Sequence, residues 1–253
     1  MNEILSASAS MPKEVLVKIR ELKKIYTIGK EKVRALNGVD LDIYRGEVIV
    51  ILGTSGSGKS TFLNMIAGLE KPTKGLVEIM GQNISTMSEK KLAKFRQKHV
   101  GFIFQSYNLL PTLTAIENVS LPLTFRNVKV RSREVEAAGL LKSVGLATHL
   151  HHKPTQMSGG QQQRVGIARA FAGTPDIIFA DEPTGNLDSA TSKQVMDLMM
   201  NLSRTKNQTL IIVTHDPEVA QYGDRVVYIL DGVIEKIELK EGDIRHYEHE
   251  RHA

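Results

Sequence analysis

The sequence contains no cysteine, which excludes a disulfide framework, a thiolate metal site and a cysteine nucleophile, and leaves the redox compartment open. Nor does any uncharged apolar stretch approach the roughly 20 residues of a bilayer-crossing helix, so a role at a membrane would have to be played through a partner. The first residues lack the basic start and longer apolar core of a signal peptide; with an acid at Glu3 and a Ser/Ala run they read as a disordered leader, 1–14. No internal repeat is evident, so one catalytic unit is expected, not two. Blocks of like charge are also missing: the net charge of +5 would suit nucleic acid or an anionic membrane surface, but Lys and Arg are scattered along the chain.

What is present is ordinary globular material, 253 residues with 41% hydrophobic and 24% charged, enough for one large α/β domain with a subdomain. Three short apolar runs, Val48 to Leu52, Ile177 to Ala180 and Leu210 to Val213, are rich in β-branched residues and lack polar alternation. Such runs read as strands buried on both faces, as in a parallel sheet. Val15 to Asp42 alternates, as does Val77-Glu78-Ile79, which predicts a small antiparallel β layer beside that sheet. Between Gln105 and Met157 the periodicity becomes helical, broken by Pro111, Pro122 and Pro154, and predicts a helical subdomain of about 106–165 inserted into the core. From Leu239 the chain turns polar; His246, His249 and His252 stand at helical spacing in a tail of 240–253, a metal-binding pattern set against a simple solvated end.

Ligands of open α/β sheets gather at the carboxyl ends of the strands, and each apolar run is followed by residues suited to phosphate chemistry. After the first comes Gly53-Thr54-Ser55-Gly56-Ser57-Gly58-Lys59-Ser60, a full match to the phosphate-binding pattern G-x-x-x-x-G-K-[ST]. Its glycines let backbone N–H groups turn inward at the start of a helix, whose dipole favours an anion. Lys59 should reach the β- and γ-phosphates and the Ser60 hydroxyl should ligate Mg²⁺. After the second run come Asp181 and Glu182, two acids whose desolvation would be costly without a cation. Asp181 is expected to hold the metal, and Glu182, turned the other way by strand alternation, to orient and polarise the attacking water. His215 closes the third run and could contact the γ-phosphate as a neutral donor.

A second anion site has no lysine. Ser158-Gly159-Gly160-Gln161 opens a run with helical spacing, Ser158 as cap and the glycines leaving N–H groups exposed. The chain already holds its own triphosphate, so the economical reading is a two-fold pair in which each Ser158–Gly160 turn covers the γ-phosphate bound at the other chain's Lys59.

In order and spacing these motifs resemble the ATP-binding-cassette ATPases, over about 15–239 of the chain. The resemblance implies a P-loop NTPase core with a mixed, mainly parallel sheet, an antiparallel β layer and an inserted helical subdomain. Gly53 to Thr61 resembles the family's Walker A segment, Ile177 to Glu182 its Walker B, Ser158 to Gln161 its signature, Gly185 to Asp188 its D-loop, and His215 its switch histidine. By the same resemblance Gln105 is a Mg²⁺ contact and hinge, Tyr26 the aromatic that stacks on adenine, and Asp188 a dimer contact. Met157 departs from the family's usual leucine, a swap of similar volume that should cost under about 1.5 kcal/mol. Segments 105–111, 117–123 and 181–189 resemble the macrolide-efflux and lipoprotein-release branch. That implies ATP and Mg²⁺ as cofactors, a homodimer or paralogue dimer, a separate integral membrane permease and a place on the cytoplasmic face of the membrane, with no nucleic acid. The rival is a soluble ATPase of the same type acting on nucleic acid or ribosomes; cargo and permease are not written in this chain.

Overall fold

The computed structural model describes residues 14–240 and 244–246, so most of the expected leader, and His249 and His252 of the tail, lie outside the described residues. Glu14 is described, and its carboxylate pairs with Arg45 at 2.7 Å.

The three apolar runs are β3 (Val48–Leu52), β7 (Ile177–Asp181) and β8 (Thr209–Thr214). Their side chains alternate between two cores. Ile49, Ile51, Ile177, Phe179, Ile211 and Val213 enter one, while Val48, Val50, Ile178, Ala180, Leu210 and Ile212 enter the other. With no polar face there is no alternation to see in the sequence, and each fully buried Val or Ile contributes about 1.5–3 kcal/mol. The sheet has seven strands in the order β11-β10-β9-β3-β8-β7-β6, adding β6 (Val100–Phe104), β9 (Arg225–Leu230), β10 (Val233–Leu239) and β11 (Ile244–His246). From β9 to β6 the pairing is parallel; β10 and β11 run antiparallel. His246 therefore sits in a strand, not on the helical spacing its sequence suggests.

Over one core lies an antiparallel sheet, β2-β1-β4-β5, made of β1 (Val15–Ile28), β2 (Glu31–Tyr44), β4 (Lys74–Ile79) and β5 (Gln82–Asn83). Helices α1 (Lys59–Ile66) and α2 (Glu89–His99) pack into that core through Phe62, Ile66, Leu92 and Phe95. Between β6 and β7 come α3 (Ala115–Phe125), α4 (Val130–Ser143), a 3-10 turn at Pro154–Gln156 and α5 (Gly159–Phe171). Helix α3 runs through Pro122, where the sequence suggests a break. The proline stands in the last turn, so the lost hydrogen bond is a single one, and the start is secured by a reciprocal cap between Thr114 and Glu117. Helix α6 (Ser189–Thr205) follows β7 and α7 (Pro217–Ala220) follows β8. No helix among the described residues is long and apolar enough to cross a membrane.

Candidate active site

Strands β3, β8, β7 and β6 are neighbours, so their carboxyl ends bring Gly53, Thr214, Asp181 and Gln105 to one edge. The loop after β3 turns straight into α1. Gly58, at φ +101°, caps the helix without a side chain, and a Cβ there would stand 2.4 Å from the Ala35 carbonyl. Only glycine fits that approach. Thr54, Ser55, Gly56 and Ser60 are exposed along the loop and Thr61 is half-buried, whereas Lys59 and Ser57 are buried. The Lys59 ammonium donates to the Thr54 carbonyl at 2.7 Å. Burial lowers the Lys59 pKa, against the pull of Glu182 and Asp181, so the loop holds a partly desolvated cation beside the backbone N–H groups of the helix start.

Asp181 faces that cation. Its pKa is raised, first by burial and then by Glu182, with Lys59 and the Ser60 hydroxyl pulling the other way. Its Oδ1 is buried with no hydrogen-bond partner. A desolvated carboxylate oxygen without a donor, next to a serine hydroxyl, is a donor set that fits Mg²⁺.

Glu182 stands beyond the strand end, with φ at +45°. Its direction is set by this left-handed turn, not by the strand alternation the sequence suggests; a non-glycine residue held there carries strain of order 1–3 kcal/mol. The carboxylate accepts from Thr214 Oγ1 at 3.0 Å and lies 2.8 Å from His215 Nδ1. Nδ1 is thus engaged by the Glu182 carboxylate, and Nε2 is the ring nitrogen left to meet a ligand. The imidazole is 63% exposed and anchors Glu182 from the solvent side.

Gln105 follows β6, and its side-chain amide rests against Gly185, where a Cβ would come within 2.7 Å of Nε2. Asn186 donates to its carbonyl at 2.9 Å. Gln105 is thus held against the loop that carries Glu182. Tyr26 ends up on β1 with its hydroxyl donating to Glu70 at 2.8 Å and Lys24 5.0 Å from its ring centre.

Ser158 caps α5 through a reciprocal box: its hydroxyl accepts from the Gln161 N–H at 3.3 Å and the Gln161 side chain accepts from the Ser158 N–H at 2.9 Å. The N–H groups of Gly159 and Gly160 have no acceptor among the described residues. A Cβ on Gly159 would lie 2.8 Å from the Tyr107 hydroxyl, and one on Gly160 2.8 Å from Thr191. The turn opens on a cavity of about 490 Å³ that it shares with Asn186 and Asp188, the latter capping α6. None of Gly53 to Thr61, Asp181 or Glu182 lines this cavity. The residues singled out in the sequence therefore form two groups within one chain, not one.

Three residues with structural work at this edge are not identified by the sequence reading. Arg169 donates to the Tyr107 and Asn108 carbonyls, holding two consecutive residues at positive φ after Gln105; its only sequence signal is a lone charge on the apolar side of a helix. Gln163, fully buried, donates to the Pro183 carbonyl at 2.6 Å and ties α5 to the Glu182 loop. Glu70 orients Tyr26 and lies 44 positions away, beyond local pattern.

Comparison with known proteins bears on both groups. A family model described as ABC transporter matches residues 36–185. The lipoprotein-releasing system ATP-binding protein LolD of Pseudomonas fluorescens is 43% identical over 222 residues, 88% of this chain and 98% of that protein. The macrolide export ATP-binding/permease protein MacB of Syntrophobacter fumaroxidans is 44% identical over 87% of this chain but only 31% of its own length. Among solved structures, the dimeric post-hydrolysis state of the ATP-binding cassette MJ0796 with ADP and Pi superposes with a TM-score of 0.84 at 44% identity, covering 90% of this chain and all of that one.

Proposed function

This chain belongs to the ABC transporter family and is an ATP-binding, ATP-hydrolysing subunit of such a transporter, and from that premise we propose that two copies close face to face on two ATP molecules. Each Ser158–Gly160 turn covers the terminal phosphate gripped by the partner copy's Lys59. The observation that supports this is the separation of the two groups within one chain. The P-loop, Asp181 and Glu182 share one edge, while the Ser158 turn, with two unused amides and Asp188, opens elsewhere. A pair related by a two-fold axis supplies each group with the other.

In this reading Tyr26 stacks on adenine, Gly53 to Thr61 cradle the phosphates, and Lys59 draws charge from the β- and γ-oxygens. Ser60, Gln105 and Asp181 would hold Mg²⁺, which neutralises charge developing on those oxygens. Glu182, fixed by Thr214 and His215, takes a proton from water as its oxygen bonds to the γ-phosphorus and the bond to the β–γ bridging oxygen breaks. Loss of that phosphate leaves Ser158, Gly159 and Gly160 without their anion, so the interface opens. The work passes to a separate permease at the cytoplasmic face of the membrane, of the export or lipoprotein-release type to which the LolD and MacB likeness points.

Glu182→Gln tests the pairing. Turnover should fall by about 10²- to 10⁴-fold, the range for a lost general base, while ATP accumulates a dimer visible by light scattering. A variant that stays monomeric at saturating Mg·ATP would sink the reading.

A further inference from the structure

The positive charge that looks scattered along the sequence is gathered by the fold. Helix α2 carries Lys90, Lys91, Lys94 and Lys98, all exposed, and buries Leu92 and Phe95 on its other side. Among the described residues none of the four ammonium groups has a carboxylate within ion-pair distance or a hydrogen-bond partner, whereas Lys24, Lys23 and Lys236 are each paired. Lys90, Lys94 and Lys98, spaced at i, i+4 and i+8, form a stripe about 12 Å long. Like charges at such spacing repel, and no ion pair among the described residues neutralises them.

At its C-terminal end this stripe meets an exposed aromatic. Gln97 donates to the Phe125 carbonyl, and Arg126 donates to the Gln97 and Lys98 carbonyls at 2.6 and 2.8 Å. That junction holds Phe125, 62% exposed, and leads into Val130, 55% exposed. We propose that this surface rests on an anionic phospholipid surface, with the α2 lysines at the headgroups and Phe125 entering the interface. The stripe lies on the outward side of a helix packed on the core, and cations without ion pairs beside an exposed aromatic are the composition of an interfacial membrane contact.

The test uses the full chain and vesicles of phosphatidylglycerol with phosphatidylcholine, against phosphatidylcholine alone. The chain should partition to the anionic vesicles only, and less as salt rises. Replacing Lys90, Lys91, Lys94 and Lys98 with Gln should lower partitioning about fivefold per lysine, the change that corresponds to about 1 kcal/mol per cation near such a surface. A control replacing the exposed Lys18, Lys30, Lys32 and Lys142 with Gln removes the same charge elsewhere and should lose much less, and Phe125→Ser should weaken binding with no change in charge. Equal retention on neutral and anionic vesicles, or equal loss in the two lysine sets, overturns the proposal. So does an α2 variant that keeps vesicle binding but no longer co-purifies with its permease in neutral detergent, which would assign the stripe to an acidic protein segment.

Discussion

Two helices of this chain begin with glycine next to a small hydroxyl residue, and they are prepared for phosphate in opposite ways. Helix α1 starts at a left-handed Gly58 with no side-chain cap, a buried Lys59 and the partnerless oxygen of Asp181 close by. Helix α5 starts at Ser158, already capped by its own Gln161, with no lysine in its four-residue turn. The first start is an incomplete site, electrostatically uncomfortable until a ligand arrives. The second is a comfortable helix end with two amides to spare. A helix N-terminus attracts anions in either form; what separates a resident site from a visiting one is whether the chain leaves its charges unsatisfied.

The largest effect should come from removing the cation that distinguishes the first start. Lys59→Ala leaves phosphate charge in a partly desolvated cradle without its counter-ion. Losing one partner of such a pair costs about 2–5 kcal/mol, or about 30-fold to several thousand-fold in Kd. Titration calorimetry with ATP on the isolated chain measures it directly. Retained affinity would mean that the backbone amides alone make the site, and the contrast between the two helices would disappear.

Ser158→Arg should leave that Kd within about threefold, because the residue lies outside the cradle, and should abolish the ATP-dependent dimer of a Glu182→Gln background in light scattering. Hydrolysis at wild-type rate by Ser158→Arg would show that one chain completes its own site. Weakened ATP binding by the monomer would merge the two groups that the fold keeps apart.

The sequence made the first start legible because its glycines, lysine and preceding apolar run are contiguous, and each residue type has one physical reason to be there. The buried strands β3, β7 and β8 were legible for the same reason, since a run apolar on both faces needs no distant partner to be identified. Strand β9 is not legible because its parallel partner β3 lies some 175 positions away, and β10 joins the sheet only as the hairpin partner of β9. The direction of Glu182 was misread because alternation holds only inside a strand, and β7 ends one residue earlier. The contact between His215 and Glu182 is out of reach of pattern for a related cause: the two stand 33 positions apart in sequence. Pattern reached the residues of the site but not the hydrogen bonds that give them roles.

The smallest expected effect is the most direct probe of the contrast, because its sign should reverse between the two helices. Asp181 has its pKa raised above the ordinary 3.8, chiefly by burial and then by Glu182. An acid whose folded pKa is raised favours folding most when protonated, so its contribution is lost as pH rises from the unfolded value through the folded one. At neutral pH Asp181 thus opposes folding of the nucleotide-free chain. Asp181→Asn should raise Tm there, with an advantage that shrinks as pH falls toward 4, while it abolishes the further rise in Tm given by Mg·ATP. Ser158→Ala, by contrast, removes a cap that is already satisfied and should lower stability by about 1 kcal/mol at all these pH values. Thermal melts at several pH values without nucleotide compare the two. A fall in Tm for Asp181→Asn would mean that Lys59 and Ser60 more than offset the burial of the carboxylate, and the first helix start would then be as self-satisfied as the second.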